Sequence, residues 1–187
     1  MKSKAQTSKT APRKKASAKS SNESLEDILE GMLKDMYWAE KHVVKALTKM
    51  SKAAYHEELK VAFDAHREET MLQIERLEKC FEILDVKPVA KKCEAMEGLT
   101  AEGADVIADH REGHARDAAL IAAGQKVEHY EISAYGTMRT MANVLGKVQC
   151  AELLEESKDE EAETDQKLTA LAEKINQLAA EIEEEVA

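Results

Sequence analysis

Apolar side chains recur along this chain at intervals of three and four residues, the spacing that puts them on one face of an α-helix. The first stripe runs Leu25, Ile28, Leu29, Met32, Met36, Val43, Leu47 and Met50, and predicts a helix ending near Ala54. Ser24 is placed to cap it, and Asp27 supplies an imperfect capping box, since Glu or Gln is usual there. A second helix is expected from about Glu57 to Leu84, with Leu59, Phe63, Leu77, Cys80, Phe81 and Leu84 on one face. Asp85 to Cys93, which holds Pro88, reads as a linker, and about Thr100 to Asp109 as a short helix within a long crossover. A third long helix spans about Ala115 to Val144, Leu145-Gly146-Lys147 turns the chain, and a fourth runs from about Gln149 to Glu181. The acidic end over 181–185 is expected to fray, because negative charge there opposes the helix macrodipole.

Two antiparallel helical hairpins joined by a crossover of roughly 28 residues predict an all-α fold, a ferritin-like four-helix bundle. Composition agrees. Seven glycines, two prolines and 4% aromatic residues in 187 leave little material for a β-sheet, while 43% apolar residues suffice for one packed domain. That domain is expected over residues 23–187. Residues 1–22 are low in complexity, rich in Lys, Ala and Ser, and predict a disordered basic tail.

Charge is divided unevenly between the two. Residues 1–20 carry seven basic side chains and no acid, which leaves 20 basic against 37 acidic in the other 167 residues. A body so acidic suits cations and does not by itself seek nucleic acid. The tail can be a solubilising segment, an arm that binds nucleic-acid phosphates weakly through residues 2–19, or a strand docked on the acidic body. Cys80, Cys93 and Cys150 form no CxxC pair and read as reduced thiols. With no secretory segment and no apolar run of membrane-spanning length, the protein is expected in the cytoplasm without a membrane partner.

Acids interrupt every long seam. The first helix runs Met32, Met36, Glu40, Val43, Leu47. The second runs Leu59, Phe63, His66, Glu69 or Thr70, Gln73, Leu77, and the third Ile121, Gln125, Glu128, Glu131 or Ile132, Tyr135, Met138. The fourth runs Leu154, Lys158, Glu161, Asp165, Leu168, Leu171, Ile175. Height tests whether these interruptions meet. Glu40 lies 13 residues before the turn near residue 53, and His66 and Glu69 lie 13 and 16 after it. At about 1.5 Å per residue these three fall within about 5 Å of one level. Glu131 and Glu161 lie 15 residues either side of Gly146, with Glu128 and Asp165 one turn further out.

An unpaired buried carboxylate is costly, and a cluster of them repels itself further. Such a set persists only if it is protonated, paired, hydrated or bound to metal. Glu40, His66, Glu69, Glu128, Glu131, Glu161 and Asp165 are therefore the candidate ligands for two divalent ions. Oxygen donors plus one imidazole suit iron first and manganese next, and the absence of cysteine argues against a thiolate zinc site. Six acids against two divalent ions leave an excess of negative charge, so one or two of the six should be protonated, paired or outside the coordination sphere. Tyr37, Tyr135 and His129 are candidate donors around the set.

The chain also resembles the YciE/YciF family of bacterial stress-induced ferritin-like proteins over about residues 24–175. The likeness is carried by Asp35-Met-Tyr-Trp-Ala-Glu40, His66-Arg-Glu-Glu-Thr70 with Gln73-Ile-Glu-Arg76, and Cys93-Glu-Ala-Met-Glu-Gly-Leu99. It continues in Arg116-Asp-Ala-Ala-Leu-Ile-Ala-Ala123, Val127-Glu-His-Tyr-Glu-Ile132, Tyr135-Gly-Thr137, and Glu160-Glu161 with Thr164-Asp165 and Leu168. The resemblance implies a ferritin-like bundle, a homodimer, a dinuclear metal centre and a role in stress, but no settled activity. Ferritins and rubrerythrins place Glu-x-x-His on two helices. Here the second helix reads His66-x-x-Glu69, and the fourth has no histidine.

Three functions follow as alternatives: a di-iron or di-manganese oxidoreductase acting on O2 or peroxide, a metal-binding bundle without turnover, or a metal-free interaction module with a nucleic-acid-binding tail. No nucleophile elbow, phosphate loop or catalytic triad is present in the sequence.

Overall fold

The computed structural model describes residues 24–186, with side chains through residue 181. The basic tail expected over residues 1–22 lies outside the described residues. Five helices follow in order: α1 (Leu25–Ala53), α2 (Glu57–Ile83), α3 (Glu94–Asp109), α4 (His114–Val144) and α5 (Val148–Val186). No strand occurs among the described residues. The chain pairs α1 with α2 and α4 with α5, closes the bundle with α2 on α5 and α1 on α4, and lays α3 across α1 and α4.

The core is apolar at both ends. Leu29, Leu33, Leu77, Phe81, Met138 and Leu154 fill one end, and Leu59, Phe63, Leu120, Ile121, Leu168 and Ile175 the other, all at most 2% exposed. Ile28 sits off the seam and is 41% exposed.

Most helix ends are set by local chemistry. Asp27 completes the capping box despite its short side chain: Ser24 Oγ accepts from the Asp27 N–H at 3.1 Å, and Asp27 Oδ2 accepts from the Ser24 N–H at 2.9 Å. α4 ends in a Schellman motif, with the Lys147 N–H donating to the Ala142 carbonyl and the Gly146 N–H to that of Asn143. Gly146 has φ 71°, the left-handed conformation that favours glycine. α2 ends the same way on Asp85, at φ 56°.

Two helices depart from expectation, the first for a tertiary reason. α3 starts at Glu94, six residues before the predicted Thr100. Gly98 and Gly103 weaken its intrinsic propensity, but Met96 is fully buried, and the Cys93 sulfur caps the helix by accepting from the Met96 N–H at 3.4 Å. α5 continues through the acidic run to Val186 instead of ending near Glu181.

The start of α2 has no cap of its own, because the His56 side chain makes no capping bond. The opposite hairpin supplies one. Asp117 of α4, fully buried, accepts from the Tyr55 N–H at 2.8 Å and the His56 N–H at 2.7 Å, while Arg116 donates to the Ala53 carbonyl at the end of α1. An anion at one helix's N-terminus and a cation at the other's C-terminus both complement the helix dipoles. Asp117→Ala is therefore expected to lower the unfolding free energy by about 1–3 kcal/mol in urea denaturation, since two partly buried N–H groups lose their acceptor. A loss under about 0.5 kcal/mol would show that this clamp contributes little.

Candidate metal centre

Between the two apolar ends lies a polar layer to which all four long helices contribute. Glu40 comes from α1, His66 from α2, Glu128 and Glu131 from α4, and Glu161 from α5; none is more than 2% exposed. Each occupies a seam position by helical spacing. On α1, Met36, Glu40, Val43 and Leu47 are buried in succession, and on α4, Glu128, Glu131, Tyr135 and Met138 are.

One ligand-capable atom from each of His66, Glu128, Glu131 and Glu161 lies within 4.8 Å of the others. His66 Nε2 is 3.3 Å from Glu128 Oε2 and 3.5 Å from Glu161 Oε2, close enough for charge attraction but without hydrogen-bond geometry. Both oxygens of Glu131 and of Glu161, and one each of Glu40 and Glu128, have no hydrogen-bond partner. Buried carboxylate oxygens are ordinarily satisfied, so orphans of Glu128, Glu131 and Glu161 converging beside His66 fit a cation, with Glu40 in the same layer but outside that group. The other oxygen of Glu40 accepts from the Tyr135 hydroxyl, which fixes the carboxylate's direction.

Electrostatics express the same frustration. Burial pushes Glu40 from 4.5 up to about 8, against the lowering effect of the Tyr135 bond and His66, with Glu128 and Glu160 raising it further. Burial raises Glu131 well above its ordinary value, and the charges of Glu40, Glu161 and Glu128 add to this. Glu161 is raised by burial and by Glu128, though His66 opposes. Burial alone would lower His66, but Glu128, Glu69 and Glu161 outweigh it and hold the imidazole well above its ordinary range. Burial and the Glu40 carboxylate push the Tyr135 phenol upward.

The remaining predicted ligands sit differently. Glu69 is half-buried at the mouth of a small cleft of about 40 Å³. It meets the far nitrogen of His66, with Oε2 3.5 Å from Nδ1, accepts from Thr164 at 3.3 Å, and lies 3.6 Å from Lys167 Nζ. Asp165 turns away from the layer, accepting from Gln125 at 3.0 Å and lying 3.4 Å from Nε2 of the exposed His129. Tyr37 donates to Glu78 at 2.6 Å, whereas Tyr135 donates to the buried Glu40.

The α5 seam explains the difference. Its buried positions are Leu154, Ser157, Glu161, Thr164 and Leu168, whereas Lys158 and Asp165 lie one residue, about 100°, round the helix. The small hydroxyl residues that fill the seam carry no hydrophobic signal, which is why sequence periodicity passed over them. On α2 the seam takes Thr70 rather than Glu69, and Gln73 as its spacing predicts, both fully buried. A second network stands beside the layer. Arg76 donates to both oxygens of Glu160 at 2.6 Å and to Glu156 at 2.7 Å, and Gln73 donates to Glu160 at 3.1 Å. Glu160 is thus neutralised from α2.

Comparison with known proteins places this geometry in context. The family described as a domain of unknown function (DUF892) matches residues 24–181. Protein YciF of Escherichia coli (strain K12) is 49% identical over 150 residues, which cover 80% of this chain and 90% of that protein. The crystal structure of the E. coli stress protein YciF aligns with a TM-score of 0.81 at 46% identity, covering 83% of this chain and 99% of that one. YcfI from Rhodopseudomonas palustris aligns with a TM-score of 0.77 at 37% identity, covering 79% and 94%.

A carboxyl with a higher pKa folded than unfolded holds its proton more tightly when folded, so its stabilising effect is lost as pH rises from the unfolded to the folded value. For Glu40 that window runs from 4.5 to about 8. Glu131 and Glu161 act in the same direction, and so does His66 above its ordinary 6.5. Chelator-treated protein should therefore lose thermal stability steadily between pH 5 and 8, and Glu131→Gln should flatten the slope. A melting temperature that rises across this interval would contradict the buried carboxyl cluster.

Proposed function

Because this chain belongs to the DUF892 family, together with the E. coli stress protein YciF, we propose that it is a stress-linked dinuclear metal protein whose centre reacts with dioxygen or peroxide. Charge is the observation that carries this. Four buried glutamates, Glu40, Glu128, Glu131 and Glu161, bring four negative charges, while Glu160 is offset by Arg76 and Glu69 lies beside Lys167. Two divalent ions balance four carboxylates; a single ion leaves two charges uncompensated in a low-dielectric interior. Oxygen donors with one imidazole suit iron or manganese.

The chain's own groups divide the work. His66 faces the carboxylates through Nε2, and Nδ1 faces Glu69 and Thr164, so Glu69 orients the imidazole rather than binding the ion. Tyr135 holds Glu40 in one direction. Apolar side chains at both ends of the bundle keep bulk water out. Bound iron or manganese would supply one-electron chemistry toward O2 or peroxide.

Protein purified without chelator should carry two iron or manganese ions per chain by elemental analysis. Glu161→Gln should weaken binding at least about tenfold, and Asp165→Asn should leave it unchanged. Iron-loaded protein should change its near-ultraviolet absorption on exposure to O2 or peroxide. Stoichiometric metal without any such change would make it a binding protein without turnover, and no metal at all would end the proposal.

Loading should also release protons, because Glu40, Glu131, Glu161 and His66 hold protons that a metal displaces. Affinity for Mn(II) is expected to climb from pH 6 to 8 in titration calorimetry. A pH-independent affinity would contradict direct ligation by these groups.

A further inference from the structure

Two clefts approach the polar layer. The one between α2 and α5 sets the polar groups of Glu69, Thr164 and Lys167 around His66, beside Ala62, Phe63, Ala65 and Leu168. The other lies under α3. It begins as a surface groove of about 300 Å³ between α1 and α3, with His42, Lys45 and Lys49 at its rim. Ala46, Met50, Thr100 and Gly103 are walls of this groove and also of a narrow cleft of about 20 Å³ that runs inward to Glu128. The inner walls are Val43, Leu47, Leu99, Ala123, Gly124 and Val127.

The inner cleft is dry by construction. Thr100 is its one polar wall besides Glu128, and the Thr100 hydroxyl is turned back onto its own helix, donating to the Met96 carbonyl at 2.8 Å. A volume of about 20 Å³ exceeds one water-sized probe, but a buried water normally makes about three hydrogen bonds and here the walls offer it only acceptors, the Glu128 carboxylate and the Thr100 oxygen. Space of this kind takes small apolar guests, as apolar cavities take xenon. It exists because α3 crosses with a glycine: a Cβ at Gly103 would meet only Met50 Sδ, at 3.7 Å.

We infer that the α1–α3–α4 cleft is a binding and access site for dioxygen, leading to the centre at Glu128, while ions and peroxide use the polar α2–α5 side. This rests on the redox function proposed above and divides its two oxidants between two routes. Peroxide, which needs several hydrogen bonds, is poorly served by walls of Val, Leu, Met and Gly. The wider groove outside lets the gas reach the narrow part without opening the bundle.

Xenon tests the site without any redox chemistry. In metal-free wild type, the Met50 ε-methyl resonance should shift and saturate with xenon pressure. Gly103→Leu, which fills the cleft and improves the propensity of α3, should abolish the shift. In iron-loaded protein, stopped-flow mixing should give a Gly103→Leu rate with O2 at least tenfold below wild type, with the peroxide rate and metal content unchanged. No xenon shift at Met50, an undiminished O2 rate in Gly103→Leu, or equal losses for O2 and peroxide would each overturn the inference. Wild type that binds xenon yet reacts with neither oxidant would overturn the redox function and, with it, the assignment of dioxygen as guest, leaving only an apolar cavity.

Discussion

Four glutamates and a histidine in the middle of an apolar bundle set the terms for the rest of this structure. Isolated buried charges are not tolerated in a medium of low dielectric constant, so in the metal-free chain Glu40, Glu131 and Glu161 keep protons well above the ordinary carboxyl range. The helices nevertheless hold these groups face to face. Stability is thereby traded for a preformed cavity of oxygen donors, and a cation turns the same repulsion into attraction. The balance proposed between four acids and two divalent ions follows from which acids are buried, not from how many the sequence contains.

Such a layer needs a frame that does not yield. Apolar packing above and below supplies part of it, and the chain ties its hairpins together at chosen points. Asp117 and Arg116 clamp the turn between α1 and α2 from α4. Arg76 binds Glu156 and Glu160 across the α2–α5 seam, one residue from Glu161. Both contacts are charge-assisted, where a bond is stronger and its geometry better fixed. The Arg76 contacts also cancel acidic charges that would otherwise add to the central excess.

The two sides of the layer differ because the bundle is not symmetric. α3 crosses only α1 and α4, covering that side with small and apolar residues. The α2–α5 side has no such cover, and its gaps are filled by Glu69, Thr164 and Lys167. Relatives such as YciF and YcfI share this arrangement of helices over most of their length. Their likeness supports the architecture, while the chemistry rests on the side chains inside it.

Periodicity alone determined the helices, their hairpins and the long crossover, because apolar spacing of three and four residues admits one face and Gly146 one kind of turn. It also singled out Glu40, His66, Glu128, Glu131 and Glu161, since a carboxylate in an oily stripe stands out against its neighbours. Tertiary structure decided the remainder. Glu69 and Asp165 lie one position off their seams, where Thr70 and Thr164 are buried instead; a rotation of about 100° separates a buried group from its neighbour, and small polar residues leave no hydrophobic mark. The caps on α2 and α3 come from Asp117 and a cysteine sulfur, partners that local propensity does not register. The dry cleft beneath α3 exists only where Gly103 crosses Met50, a juxtaposition of residues more than fifty apart in the chain.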